Sequence, residues 1–221
     1  MLNKNAIHKL LKRLNAHRKS IVLLQVGKNV PKDQVKEILD GVQSFITEGT
    51  LCVIGDCDFN TGKSNVERLK HLSKREKQVL AFDDALSILS LRHDCRLVNH
   101  PSLAMGVVGY YARYLTRHQE YDFPYGNPSV FNDLYELEAI YLTVGEVERP
   151  YGLKYAYLNQ KEVISRNVLV HHKDSVGYLD FLCNFKRLSD LQSLLCLYED
   201  GDVRVYGERY PWIIDQIRGE I

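Results

Sequence analysis

Residues 20–55 read SIVLLQVGKNVPKDQVKEILDGVQSFITEGTLCVIG, and this stretch decides the fold class. Ile21 to Val26 is an apolar run that stops at Gly27, as a strand buried on both faces would. Pro31 suits the first turn of a helix, and Val35, Ile38, Leu39 and Val42 give that helix one apolar face. Gly49 ends it, and Leu51 to Ile54 forms a second apolar run closed by Gly55. Strand, helix and strand within thirty-six residues is the unit from which parallel sheets are built.

The rhythm continues downstream. Residues 64–76 read as a charged helix, Val79 to Phe82 as a third strand, 85–93 as a helix and Arg96 to Val98 as a fourth strand. After Pro101 a helix is expected to about His118, with Val107, Val108, Tyr111, Tyr114 and Leu115 as its stripe. Beyond Tyr121 the texture changes. Residues 122–128 are rich in turn formers; strands are expected at 137–144, 153–158 and 163–171, and a helix at 176–194. Asp200-Gly201-Asp202, between two apolar runs, reads as a hairpin turn. The reading is therefore α/β: a parallel-type N-terminal sheet with flanking helices, then a more β-rich, antiparallel C-terminal half. It divides into an α/β domain over 1–120, a loop at 121–130 and a β-rich α+β region over 131–221 that can also belong to a single domain.

Composition narrows the class. A chain of 221 residues, 45% hydrophobic and 26% charged, can bury a sizeable core. The formal net charge of +1 supplies no global field for nucleic acid or an acidic membrane. No apolar run approaches the roughly 20 residues of a membrane span, and the N-terminus lacks secretory features. Five cysteines with no CxxC pair fit reduced thiols and a cytoplasmic location.

Ligands of open α/β sheets bind outside the carboxyl ends of the strands. Those ends hold Lys28 and Asn29, the loop Asp56 to Ser64, Asp83 and Asp84, and Asn99 and His100. Within the loop, Cys57-Asp58-Phe59-Asn60-Thr61-Gly62-Lys63-Ser64 follows a strand and opens a helix. It resembles the phosphate loop of the P-loop NTPase superfamily, G-x-x-x-x-G-K-S/T, with Cys57 in place of the first glycine. The resemblance implies an Mg²⁺-dependent protein that binds ATP or GTP. Gly62 would join the cradle, Lys63 would meet the phosphates and Ser64 the metal, and Asp83, ending a strand, would be the acidic partner. Asp83 and Asp84 are the candidate catalytic acids.

The same acids support a second reading. Asp56, Asp58, Asp83 and Asp84 could together hold Mg²⁺ or Mn²⁺ for phosphoester cleavage. The order of strand, helix and Gly55-Asp56 resembles the opening of PIN-like nucleases, with Val26 where those place an aspartate. A third reading is a non-enzymatic interaction protein. Residues 4–19 carry Lys4, Lys9, Lys12, Arg13, Arg18 and Lys19 without an acid, and 63–77 are also basic, so either segment could meet nucleic acid or a protein. Leu72 to Leu80 resembles the start of a LuxR-type helix-turn-helix, but no recognition helix follows. His100, His171 and His172 are candidate general bases.

Overall fold

The computed structural model describes residues 2–55, 84–98, 100, 103–117, 119–120, 122–147, 150–157, 163–172, 175–184, 196–200 and 203–219. Its helices are α1 (Lys4–Arg13), α2 (Lys32–Phe45), α3 (Asp84–Ser90), α4 (Ala112–Leu115), α5 (Val130–Glu136) and α6 (Tyr210–Arg218). Its strands are β1 (Ile21–Val26), β2 (Thr50–Gly55), β3 (Arg96–Leu97), β4 (Ala104–Gly109), β5 (Ile140–Val144), β6 (Val163–His172), β7 (Ser175–Asn184), β8 (Cys196–Asp200) and β9 (Val203–Arg209). A 3₁₀ helix covers Tyr151–Tyr157.

Seven strands form one mixed sheet in the order β3-β4-β2-β1-β5-β9-β8. The central strand β1 pairs in parallel with β2 and with β5, and all other pairings in the sheet are antiparallel. Alternation along β1 sends Val22 and Leu24 to one face, and Ile21 and Leu23 to the other. The first face is covered by α1, α2 and α3 through Leu11, Ile38, Leu39, Leu86 and their neighbours. The second is covered by α4, α5, α6 and the 3₁₀ helix through Leu115, Phe131, Leu153 and Ile213. With both faces covered, all six residues of β1 and of β2 are buried, and apart from Gln25 and Thr50 the strands read as apolar runs. The strands β6 and β7 form a separate two-stranded ribbon, tied to residues 122–123 where Phe123 N–H donates to Leu182 O at 2.7 Å.

The basic N-terminal helix is docked on the core. Asn3 caps it by accepting from Ala6 N–H at 3.0 Å, Lys12 and Arg13 sit favourably in its last turn, and Ile7, Leu10 and Leu11 are buried. Arg13 itself donates to Leu197 O at 2.8 Å.

The α/β class holds, and several elements differ from expectation. The helix expected after Pro101 is instead β4 followed by the short α4. Its apolar run is that of a strand buried on both faces, which sequence periodicity does not separate from a buried helix. Gly106 fits this position, since a Cβ there would lie 2.9 Å from the Leu86 side chain. The strand expected at 153–158 is the 3₁₀ helix, and residues 175–184 of the expected helix form β7, paired with β6 over ten positions. The expected strand at 79–82 and helix at 64–76 lie outside the described residues. Among the described residues no helix is long and apolar enough to cross a membrane.

Candidate active site at the carboxyl edge of the sheet

Because β1, β2 and β5 run parallel, Val26, Gly55 and Val144 end on the same edge. The antiparallel β4 starts there too, with Ala104 opposite Gly55, and the bridge between His100 and Leu103 lies just beyond. The connections from this edge part to opposite faces. After β1 the chain turns to α2 on the first face, and after β5 to the 3₁₀ helix on the second. That divergence is a topological switch point, the place where open α/β sheets leave a crevice for ligands.

Two glycine-led loops meet at this switch point. Gly27 N–H donates to Val144 O at 2.7 Å, and a Cβ on Gly27 would stand 2.1 Å from Glu146 O, so no larger residue fits without moving backbone. Gly145 has φ +78° and donates to Arg204 O at 2.7 Å. The loops are then pinned together as Glu146 N–H donates to Asn29 Oδ1 at 2.7 Å. Lys28, Asn29 and Glu146 are exposed at this rim, whereas His100 is only 8% exposed. Among the described histidine side chains, His100 is the one at this edge.

Beneath the rim the second sheet face turns polar. Gln25 on β1 accepts from the Tyr141 hydroxyl at 2.8 Å, and its register partner on β5 is Thr143. Thr143 is fully buried, and its hydroxyl has no hydrogen-bond partner among the described residues. Burial pushes the Tyr141 and Tyr210 phenols far up, so both are protonated donors at neutral pH. The Tyr210 hydroxyl donates to Gly152 O at 2.5 Å and fixes the 3₁₀ helix on the sheet. On that helix the Lys154 ammonium lies 4.4 Å from the Tyr125 ring centre and 4.7 Å from that of Tyr151. The two rings stack at 6.4 Å, so the charge rests against aromatic faces.

Of the residues singled out in the sequence, Asp56, Asp58, Gly62, Lys63, Ser64 and Asp83 lie outside the described residues. Asp84 opens α3. His171 and His172 end β6 in the ribbon rather than a strand of the main sheet. Among the described residues no group of three His, Cys, Asp or Glu could hold a metal ion. Sequence reading missed Gln25, Tyr141, Thr143, Glu146 and Lys154. The signal for Gln25 and Thr143 was a polar residue inside an apolar strand; Lys154 carried none, because the sequence pattern there suggested a strand.

No family model matches the chain, and no curated protein is detectably similar in sequence. Solved structures are similar over nearly the whole fold. The YokD protein from Bacillus subtilis superposes with a TM-score of 0.74 at 12% identity, covering 99% of this chain and 98% of that one. The aminoglycoside acetyltransferase AAC(3)-IIb gives 0.75 at 13%, covering 99% and 96%. AAC-IIIb, in a binary complex with CoASH, gives 0.70 at 12%, covering 99% and 95%.

These likenesses overturn the P-loop NTPase reading, with its Mg²⁺ and ATP or GTP, along with the PIN-like nuclease and interaction-protein alternatives. The physical reason lies in the sheet. A phosphate loop acts with an acidic strand end beside it, but both edges of β2 are taken, one by β1 and the other by the antiparallel β4. Gly62-Lys63-Ser64 is a short motif in a different architecture. At 14% identity or less the similarity speaks for architecture alone: this chain has the fold of the aminoglycoside acetyltransferases.

Proposed function

We propose that this chain is an acyltransferase that moves an acyl group from a coenzyme A thioester to an amine of a small, hydroxyl-rich molecule. The observation that carries the reading is mutual coverage. The likeness spans 99% of this chain and 95% of a protein seen with CoASH. The edge residues fit the chemistry. A thioester supplies an activated acyl carbon, and the exposed Lys28 is suited to the phosphates of such a donor. The Glu146 carboxylate suits a neighbouring ammonium group of a polyamine substrate, while the attacking amine enters in its neutral form. His100, buried at the same edge, accepts the proton as the amine nitrogen attacks. A C–N bond forms, the C–S bond breaks, and the proton leaves with the thiol. Gly27 and Gly145 hold the loops that carry Lys28 and Glu146 against each other at this edge. A cytoplasmic setting agrees with the free thiols Cys52 and Cys196.

The test is release of free thiol from acetyl-CoA in the presence of a panel of amino sugars. Amine-dependent release is expected, and His100→Gln should lower kcat by about 10²–10⁴-fold with an unchanged unfolding midpoint. Absence of amine-dependent release across the panel would contradict the function. An undiminished rate in His100→Gln would remove that residue from the role of base.

A further inference from the structure

At the opposite end of β1 and β5, about 17 Å along the strands from the crevice, the surface opens into a cavity of about 310 Å³. It is separate from the proposed acyl-transfer site. Its floor is apolar, made by Leu14 at the end of α1 and by Ile21 and Ile140 at the starts of the two strands. Its walls and rim carry hydrogen-bond donors. Lys19 N–H donates to His17 Nδ1 at 3.2 Å, which places the lone pair on Nδ1 and the proton on Nε2. The imidazole thus offers an N–H that no described residue accepts. Ser20 Oγ accepts from His17 N–H at 2.9 Å, leaving its own hydroxyl proton to donate. The Tyr111 hydroxyl likewise has no partner among the described residues, while its ring is held edge-on by Tyr110 and Tyr114.

Charge points the same way. Lys19 and Arg209 are the cations of the lining, and Glu138, the one acid, is already paired with Arg209. The Lys19 ammonium is 4.0 Å from Glu48, a carboxylate that Arg18 holds more closely at 3.0 Å. Donors from α1's trailing loop, from β9 and from the segment after β4 converge on one small volume with an excess of positive charge. A phosphoryl group carries three terminal oxygens and up to two negative charges, so it answers donors spread over three sides and an excess of positive charge better than a planar, singly charged carboxylate does. The apolar floor and the Tyr111 ring accommodate the organic part.

We propose that this cavity is a second ligand site, for a small phosphate monoester with a flat or aliphatic body. The test is calorimetric titration of the full chain with phenyl phosphate, benzoate and inorganic phosphate, together with the imidazole NMR signals of His17. Phenyl phosphate should bind saturably, shift the His17 signals and be displaced by inorganic phosphate, with benzoate weaker. His17→Ala and Lys19→Ala are exposed changes that should leave the unfolding midpoint intact and weaken binding about tenfold each. The proposal is overturned by a lack of saturable binding, by benzoate binding as well as the phosphate ester, or by binding that neither variant weakens. None of these readouts depends on acyl transfer, so each proposal stands or falls alone.

Discussion

Thr143 carries a cost that the fold does not recover. A hydroxyl with no partner in a fully buried strand loses its hydration for nothing, which is worth about 1–3 kcal/mol. Thr143→Val should therefore raise stability by about 1 kcal/mol in urea unfolding; a loss of that size would show that the hydroxyl is paired. Asp133 on α5 is the second such residue. Its Oδ1 accepts from Arg117 Nη2 at 2.8 Å and from the Tyr114 hydroxyl at 3.3 Å, but the buried Oδ2 has no partner among the described residues. Burial raises this carboxyl above its ordinary 3.8 and outweighs the neighbouring guanidinium, which is itself 44% exposed and well solvated. The native state thus holds the proton more tightly than the unfolded chain does. The contribution of Asp133 to stability is full below 3.8 and is lost as the pH rises through its higher folded value. Asp133→Asn should remove the fall in stability that sets in above about pH 4 in the parent chain. An unchanged pH profile would place the proton elsewhere.

The elements show where reading a sequence succeeds. The amphipathic α1 and α2 and the buried β1 and β2 were legible because caps, breaker glycines and apolar spacing agree locally. Leu11 is completely buried between α1 and the core, so Leu11→Ala should cost about 2–5 kcal/mol of unfolding free energy. A change under 1 kcal/mol would mean that the basic helix is not docked. The failures share one cause. Long-range pairing decided β4, which fills the edge of β2 opposite β1, and β7, which is matched to β6 along its length. The apolar content of both segments suits a helix equally well, and nothing local identifies the partner strand. The 3₁₀ helix follows the same rule: Tyr155 and Leu153 are buried as strand residues would be, but against the sheet face rather than within it.

At the scale of the molecule, the sheet edge was anticipated and the chemistry was not. Parallel β1 and β2 imply a carboxyl edge, and Lys28, Asn29 and His100 were placed there from sequence. The switch point between β1 and β5 was not visible, because it depends on a strand more than a hundred residues away joining beside β1. Without that topology the Gly62-Lys63-Ser64 tripeptide dominates the reading; with it, the seven-stranded sheet is a fold shared with acetyltransferases. The central claim is that the crevice binds a coenzyme A thioester rather than a nucleoside triphosphate with Mg²⁺. It is tested most directly by thermal unfolding of the chain with coenzyme A, with acetyl-CoA, with Mg·ATP and with Mg·GTP. A ligand at 100 times its dissociation constant stabilises the native state by about 2.7 kcal/mol. For a chain of this length that is a midpoint rise of about 5–10 °C. The account predicts that rise with coenzyme A and acetyl-CoA and no shift with either nucleotide; a rise with Mg·ATP or Mg·GTP alone would contradict it.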